Sequence, residues 1–523
     1  MSPLPRNPYV AGNPVGASEA FIGRRDVLRA VGRILRQPQQ NAVVLYGQRR
    51  IGKTSILQHL AARLPDEGAY IAVDFDLQDK ADWPLDHVLR ELARAIADRL
   101  DQPAPTLGDD VGRAFRDRWL PAALATLSDD ASLVLLFDEF DVLADPQGHQ
   151  AAKAFFPYLR HLMGQDRNCV QFVFVIGRNV DDLSTIALSL FKGTPYHRVS
   201  LLNHAETLAL VRLAEQNQTL RWSDPAIERV WALTHGHPYL TQQLCSHVWE
   251  RAYDDAEKEE EDEDGNGNET SVSTPLIAPA DVDGAVAEAL DASRNTLEWL
   301  WGGLGPAERV VASALAEAGP RPITQEELDR ILLESGVRVI IRELQNAPEL
   351  LQEWDILEPA DGGFRFRVEL LRRWLVDHKP LTRVQEELDH VEPVAESFYQ
   401  AGLGLYRSGR LEAAIQPLQQ AMNINPNHIR ATELLADIYL AQGQPDEARE
   451  ILDRLYDYHP AAARPRLIQV LLSEARRIET EEERLPLYEQ ILAMHPGQRE
   501  AQANVRRIWG GRGDAAQDAG KLE

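Results

Sequence analysis

Four stretches of the chain are apolar with little interruption: Asn41-Ala42-Val43-Val44-Leu45-Tyr46, Tyr70-Ile71-Ala72-Val73-Asp74-Phe75, Leu133-Val134-Leu135-Leu136-Phe137 and Val170-Gln171-Phe172-Val173-Phe174-Val175-Ile176. Runs this short and this continuous predict strands buried on both faces, the pattern of a parallel sheet. Arg198-Val199-Ser200-Leu201 is a fifth candidate. Between these runs the apolar period changes to that of a helix. Ile56, Leu57, Leu60 and Leu64 fall on one face of a segment starting at Lys53, and amphipathic patterns end at Leu35 and cover 85–100 and 109–127. Strands alternating with helices predict an α/β core, a parallel sheet with helices on both faces.

Helical patterning takes over from His204 to about Tyr253. Apolar residues then vanish in Glu257-Lys258-Glu259-Glu260-Glu261-Asp262-Glu263-Asp264 and Gly265-Asn266-Gly267-Asn268, which predicts a disordered linker. Helices are expected over 306–317, 324–333 and 338–352. Asp361-Gly362-Gly363 then marks a turn between two short strands, and three helices with a hairpin suggest a winged helix. Asn425-Pro426 and His459-Pro460 close successive units 34 residues apart, with a third unit ending at His495-Pro496. Small or matching residues recur inside them: Gly402, Ala414 and Ala421 in the first, Ala436, Tyr439 and Ala448 in the second. This is the period of tetratricopeptide helix pairs, which stack because no pair buries its own face. The expected organisation is an α/β core over 1–205, a helical lid over 206–255, a linker over 256–279, a winged helix over 280–383, all-α repeats over 384–508 and a disordered tail over 509–523.

Composition narrows the partners. The net charge of −26 disfavours general nucleic-acid binding, which needs a positive footprint, and leaves DNA a lesser alternative. Cys169 and Cys245 lie in apolar stretches and read as buried thiols, consistent with a reducing, cytoplasmic setting. No run approaches the roughly 20 apolar residues a membrane span needs.

The chemistry concentrates where the first strand ends. Gly47-Gln48-Arg49-Arg50-Ile51-Gly52-Lys53-Thr54 is a phosphate-binding loop set between a strand and a helix. Gly47 and Gly52 allow backbone angles and close approach that a Cβ would block. The amides of Arg49, Arg50, Ile51, Gly52, Lys53, Thr54 and Ser55 are then placed for phosphate oxygens, aided by the helix N-terminus. Lys53 reaches the β- and γ-phosphates, and the Thr54 hydroxyl ligates Mg²⁺. A second apolar strand delivers Asp138 and Glu139. Asp138 is expected to hold Mg²⁺ through water, and Glu139 to orient or deprotonate the attacking water. Asp141 is a fallback carboxylate, or simply a helix cap. A further strand ends at Gly177-Arg178, which makes Arg178 a candidate sensor of the γ-phosphate. Thr234-His235-Gly236-His237-Pro238 breaks one helix and starts another.

Taken together, these motifs resemble the signal-transduction ATPases with numerous domains, a branch of the AAA+ and related P-loop class, over residues 20–380. That family opens with an apolar pair and Gly-Arg-Glu; here Phe21-Ile22-Gly23-Arg24 is followed by Arg25-Asp26. The resemblance implies that Phe21, Gly23 and Arg24 approach the adenosine. It also implies that Arg178 is the sensor and that Gly236-His237-Pro238 is the lid motif, with Pro238 at the nucleotide. The ligands implied are ATP or ADP with Mg²⁺. The function implied is a slow or partner-stimulated ATPase working as a switch, with a protein partner on the repeats and nucleotide-dependent self-association. Two alternatives remain at this stage: a DNA-binding regulator using the winged helix, and a non-catalytic scaffold with structural nucleotide.

Overall fold

The computed structural model describes residues 5–37, 40–80, 82–128, 130–144, 150–165, 169–177, 190–262, 274–335, 337, 342–384 and 389–519. The chain divides into two compact units, one of residues 1–300 with 367–371 and one of 301–366 with 372–523.

In the first unit, β1 (Ala42–Tyr46), β2 (Tyr70–Asp76), β3 (Ser132–Asp138), β4 (Val170–Ile176) and β5 (Tyr196–Arg198) form one sheet in the order β2-β3-β4-β1-β5. Every pairing in it is parallel. The strand period of two sorts the apolar runs onto two faces. Val43, Leu45, Val134, Leu136, Val173 and Val175 pack with α1 (Arg25–Leu35) and α2 (Lys53–Glu67). Val44, Leu133, Leu135, Phe137, Phe172 and Phe174 pack on the other face with α3 (Leu85–Arg99) and the helix Gln150–Gln165. Both faces are therefore covered, and the four strong runs lie where the sequence put them. The fifth strand pairs two residues earlier than expected, and Val199 N continues it by donating to Tyr46 O at 2.7 Å.

The helices of the lid region are His204–Val211, Leu213–Gln216, Asp224–Thr234 and Pro238–Asp262. The last runs further than the expected linker boundary at 256, because Glu and Lys are strong helix formers even where no apolar face remains. The end of the expected linker is likewise ordered. Leu276–Ile277 pairs in parallel with Arg221–Trp222. Three helices follow, Pro279–Gly284, Val286–Ala292 and Arg294–Gly302.

The second unit contains helices Pro306–Glu317, Gln325–Glu334 and Arg342–Glu353, then the antiparallel strands Leu357–Ala360 and Gly363–Phe366. Asp361 and Gly362 both have positive φ, 44° and 77°, the signature of a tight two-residue hairpin turn. Gly363 belongs to the second strand rather than the turn. A Cβ there would lie 2.2 Å from Ile323 O, where Ile323 bridges to Phe364.

The repeats are the helices Pro393–Arg407, Leu411–Ile424, Ile429–Ala441, Pro445–Tyr458, Pro460–Arg477 and Glu481–Met494, followed by Arg499–Ala519. Ala414, Ala421, Ala436 and Ala448 are fully buried at the helix crossings. The prolines act in two ways. Pro426 lies in the loop after a helix, whereas Pro460 opens the next one, a first-turn position that needs no N–H. The final helix extends to Ala519, into the segment expected to be a tail.

Candidate active site

The phosphate-binding loop leaves β1 in a conformation few residues tolerate. Gly47 has φ 155°, and a Cβ on it would lie 2.3 Å from Val199 O. Gly52 has φ 96° and Arg50 has φ 60°. The loop turns directly into α2, so its amides and the positive helix end converge. Lys53 is buried, and its Nζ donates to Gly47 O at 2.9 Å and Gln48 O at 2.7 Å. Burial pushes the Lys53 pKa down, opposed by Glu139, Asp141 and Asp138.

Phe137 and Phe140 are both fully buried in the aromatic core and bracket Asp138 and Glu139, which forces the two acids out to the carboxyl edge of the sheet. Asp138 takes a hydrogen bond from the Thr54 hydroxyl, and its Oδ1 accepts from Glu139 N at 3.0 Å. Burial raises its pKa, while the Thr54 bond opposes the rise. Glu139 sits at φ 49°, a left-handed conformation costing on the order of 1–3 kcal/mol. Its Oε2 is buried with no hydrogen-bond partner and lies 3.8 Å from Arg49 Nη2. Burial and then Asp141 raise the Glu139 pKa. Asp141 is buried, and its Oδ1 accepts from Gly177 N at 3.0 Å, which ties it to the end of β4. Arg178, the expected sensor, lies outside the described residues.

A cavity of about 720 Å³ opens over this edge. The loop residues Arg49 to Ser55 form its floor, with Asp138 and Glu139 at one end. Phe21 and Arg24 line it, but Gly23 does not. Gly23 instead packs on Glu206, which would meet a Cβ at 2.3 Å. Arg24 works as a brace: Nη2 donates to Ile51 O at 2.6 Å, Nη1 donates to Ser200 O, and its amide donates to Glu206 Oε1 at 2.9 Å. Pro238 and Tyr239 line the cavity at the start of the lid helix. His237 does not. It is buried, its Nδ1 accepts from Leu240 N at 3.4 Å, and burial lowers its pKa to about 4, so it is neutral. Gly236 is required by close packing, since a Cβ would lie 2.1 Å from Leu202 O.

Several walls of the cavity were not legible in the sequence. Val10, Gly12, Asn13, Pro14 and Val15 line it. This segment is tied to the lid region by Tyr9, whose hydroxyl donates to Val211 O and accepts from Trp222 Nε1 at 3.1 Å, and by Val10 N donating to Gln242 Oε1 at 3.1 Å. It is tied to the core by Val15 N donating to Ser55 Oγ at 3.1 Å. Asp76 at the end of β2 stands beside Asp138 in register. Asn295, Thr296 and Trp299 close another side. Tyr9, a lone aromatic in a turn-rich stretch, is the one residue there whose type could have signalled packing, and it is buried.

These features define a P-loop NTPase fold with an all-helical C-terminal region. Residues 20–175 match the AAA ATPase domain family and residues 405–469 match the tetratricopeptide repeat. No curated protein matches the chain. Among solved structures, it is similar to a Walker-type ATPase of Pyrococcus abyssi at 13% identity, covering 70% of this chain and 99% of that one with a TM-score of 0.49. It is also similar to Cdc6p of Pyrobaculum aerophilum (15% identity, 73% and 100% covered, TM-score 0.37). A third likeness is to the RuvB Holliday junction branch migration motor of Thermotoga maritima (16% identity, 66% and 92% covered, TM-score 0.33). Cys245 is buried in the lid helix, with burial pushing its thiol pKa up, while Cys169 is only half-buried. Among the described residues no helix is long and apolar enough to cross a membrane.

Proposed function

We propose that this chain is an Mg²⁺-dependent ATPase whose nucleotide state acts as a switch and whose repeats bind a protein partner. The observation that carries the reading is that Lys53, the Thr54–Asp138 pair and Glu139, whose Oε2 accepts no hydrogen bond, line a single cavity. Gly47 and Gly52 leave space and backbone freedom for a phosphate chain, and Lys53 is a cation held in place to meet it. Thr54 and Asp138 are hard oxygen donors already in contact, the donor set Mg²⁺ takes beside phosphates. The ion, when bound, supplies charge neutralisation across the phosphate oxygens. Glu139 is the base: it accepts the proton as the water oxygen attacks the γ-phosphorus and the bond to the leaving ADP oxygen breaks.

Nucleotide binding is expected to fail in Lys53→Ala and to survive in Glu139→Gln, with hydrolysis lost in both. Titration with a fluorescent ATP analogue and phosphate-release assays separate the two effects. Unchanged ATP affinity in Lys53→Ala overturns the reading. Binding without hydrolysis in the wild-type chain, with candidate partners present, leaves the scaffold reading.

The resemblance to the signal-transduction ATPases supports the switch. So does the cavity, whose walls come from the N-terminal segment and lid as well as the core, so that γ-phosphate and Mg²⁺ contacts bias how those walls close. We read residues 280–383 as a winged helix on the three helices and hairpin, and the protein as cytoplasmic. Against DNA stand the net charge and two tethered arginines near the hairpin. Arg365 pairs with Glu358, and Arg372 Nη1 donates to Ala316 O at 2.9 Å. The tetratricopeptide match supports a protein partner and is neutral on self-association.

A further inference from the structure

The phosphate loop carries two arginines that its phosphate chemistry does not need, since backbone amides and Lys53 do that work. They are used differently. Arg50 Nη1 donates to Gly12 O at 2.5 Å, and its guanidinium lies 5.6 Å from the Tyr239 ring centroid, so it ties the loop to the N-terminal segment and the lid. Arg49 turns toward the reacting end. Its Nη2 lies 3.8 Å from Glu139 Oε2. Its Cγ is close enough to Gly177, at the end of β4, that a Cβ there would come within 3.8 Å of it. Its guanidinium lies over the face of the Trp299 indole.

We propose that Arg49 and Trp299 form a brake on Glu139, applied by the helix Arg294–Gly302. This rests on the ATPase reading above. The Glu139 oxygen that would receive the attacking water is turned to the Arg49 guanidinium, which occupies the approach to it. Arg49 must leave Glu139 before that side chain can take a proton from water. Trp299 opposes the departure through the attraction between a cation and an aromatic face. Asn295, Thr296 and Trp299 follow the i, i+1, i+4 spacing that puts side chains on one helix face, and all three line the cavity. Trp299 is nonetheless 48% exposed, so it is not held there as part of a hydrophobic core. The helix that carries it therefore sets how firmly Arg49 is held, and moving that helix releases Glu139. Arg49 and Trp299 are positioning residues; Glu139 remains the catalytic one.

Steady-state ATP hydrolysis by the full chain tests this with Trp299→Ala, Trp299→Leu and Trp299→Phe. Leucine keeps apolar bulk and loses the aromatic face, whereas phenylalanine keeps a face. The Ala and Leu variants are expected to raise kcat about two- to thirty-fold with KM for ATP little changed, and the Phe variant to stay near wild type. A Trp299 that merely walls the cavity would instead raise KM in the Ala variant and be rescued by Leu. Unchanged or lowered kcat in both the Ala and Leu variants overturns the brake. Lys53→Ala measured alongside keeps the two readings apart. If it retains ATP affinity, the ATPase reading fails and the brake falls with it. If it loses ATP affinity while the Trp299 variants behave as wild type, only the brake fails.

Discussion

His237 lies in the lid motif yet has a buried, neutral ring whose Nε2 has no hydrogen-bond partner. Burial lowers its folded-state pKa from 6.5 to about 4. The unfolded chain thus binds a proton over this window that the folded chain refuses, and stability falls as pH drops from about 6.5 toward 4. The full effect is on the order of 3 kcal/mol for the ATPase unit. Denaturant unfolding of that unit is expected to lose stability between neutral pH and pH 5 in the wild type, and to lose less in His237→Asn. Asparagine keeps an N-cap acceptor and does not titrate. Equal pH slopes in the two proteins would count against a buried neutral ring. Spacing made Gly236-His237-Pro238 visible as a helix break. It gave no sign that the ring turns into the core while Pro238 and Tyr239 line the cavity.

Elements obey the same division between pattern and packing. Gly402 and Gly404 sit two residues apart in the helix Pro393–Arg407 and look alike in the sequence. A Cβ on Gly402 would lie 2.7 Å from Cγ of Leu418, itself fully buried, whereas a Cβ on Gly404 meets nothing within 4 Å. Gly402→Ala is expected to cost about 1–3 kcal/mol by overpacking the crossing. Gly404→Ala should stabilise by about 0.5–1 kcal/mol through helix propensity alone. Thermal unfolding of the two variants checks the pair, and the same sign for both would contradict the packing. The repeat period identified this helix as one of a pair and singled out Gly402 as a small residue recurring within it. The contact that makes Gly402 necessary comes from the next helix. Likewise, the acidic run was read as disordered because apolar residues vanish, yet the helix from Pro238 continues to Asp262 on propensity.

At the scale of the whole chain, the charge of −26 and the tethering of Arg365 and Arg372 lead us to expect no shift of duplex DNA even at low salt. A salt-sensitive shift would return the DNA-regulator reading. A chain cut after residue 383 is expected to keep its ATP affinity and to lose capture of any protein that the full chain retains on a pull-down. Capture by the shortened chain would move the partner site away from the repeats.

The strands, the phosphate loop, the paired acids at the end of β3 and the repeat array are all legible in the chain's local pattern. Each rests on a local rule: strand and helix periods, glycine freedom, an acid following an apolar run, a fixed repeat length. Which residues share the cavity depends on long-range packing. Val15 beside Ser55, Asp76 beside Asp138, and Trp299 over Arg49 are juxtapositions of residues far apart along the chain, and no local period encodes them. The strand order β2-β3-β4-β1-β5 decides the rest, because it puts Asp138 and Lys53 at one edge with β4 between their strands. That leaves Gly177, at the end of β4, to be fixed by Asp141.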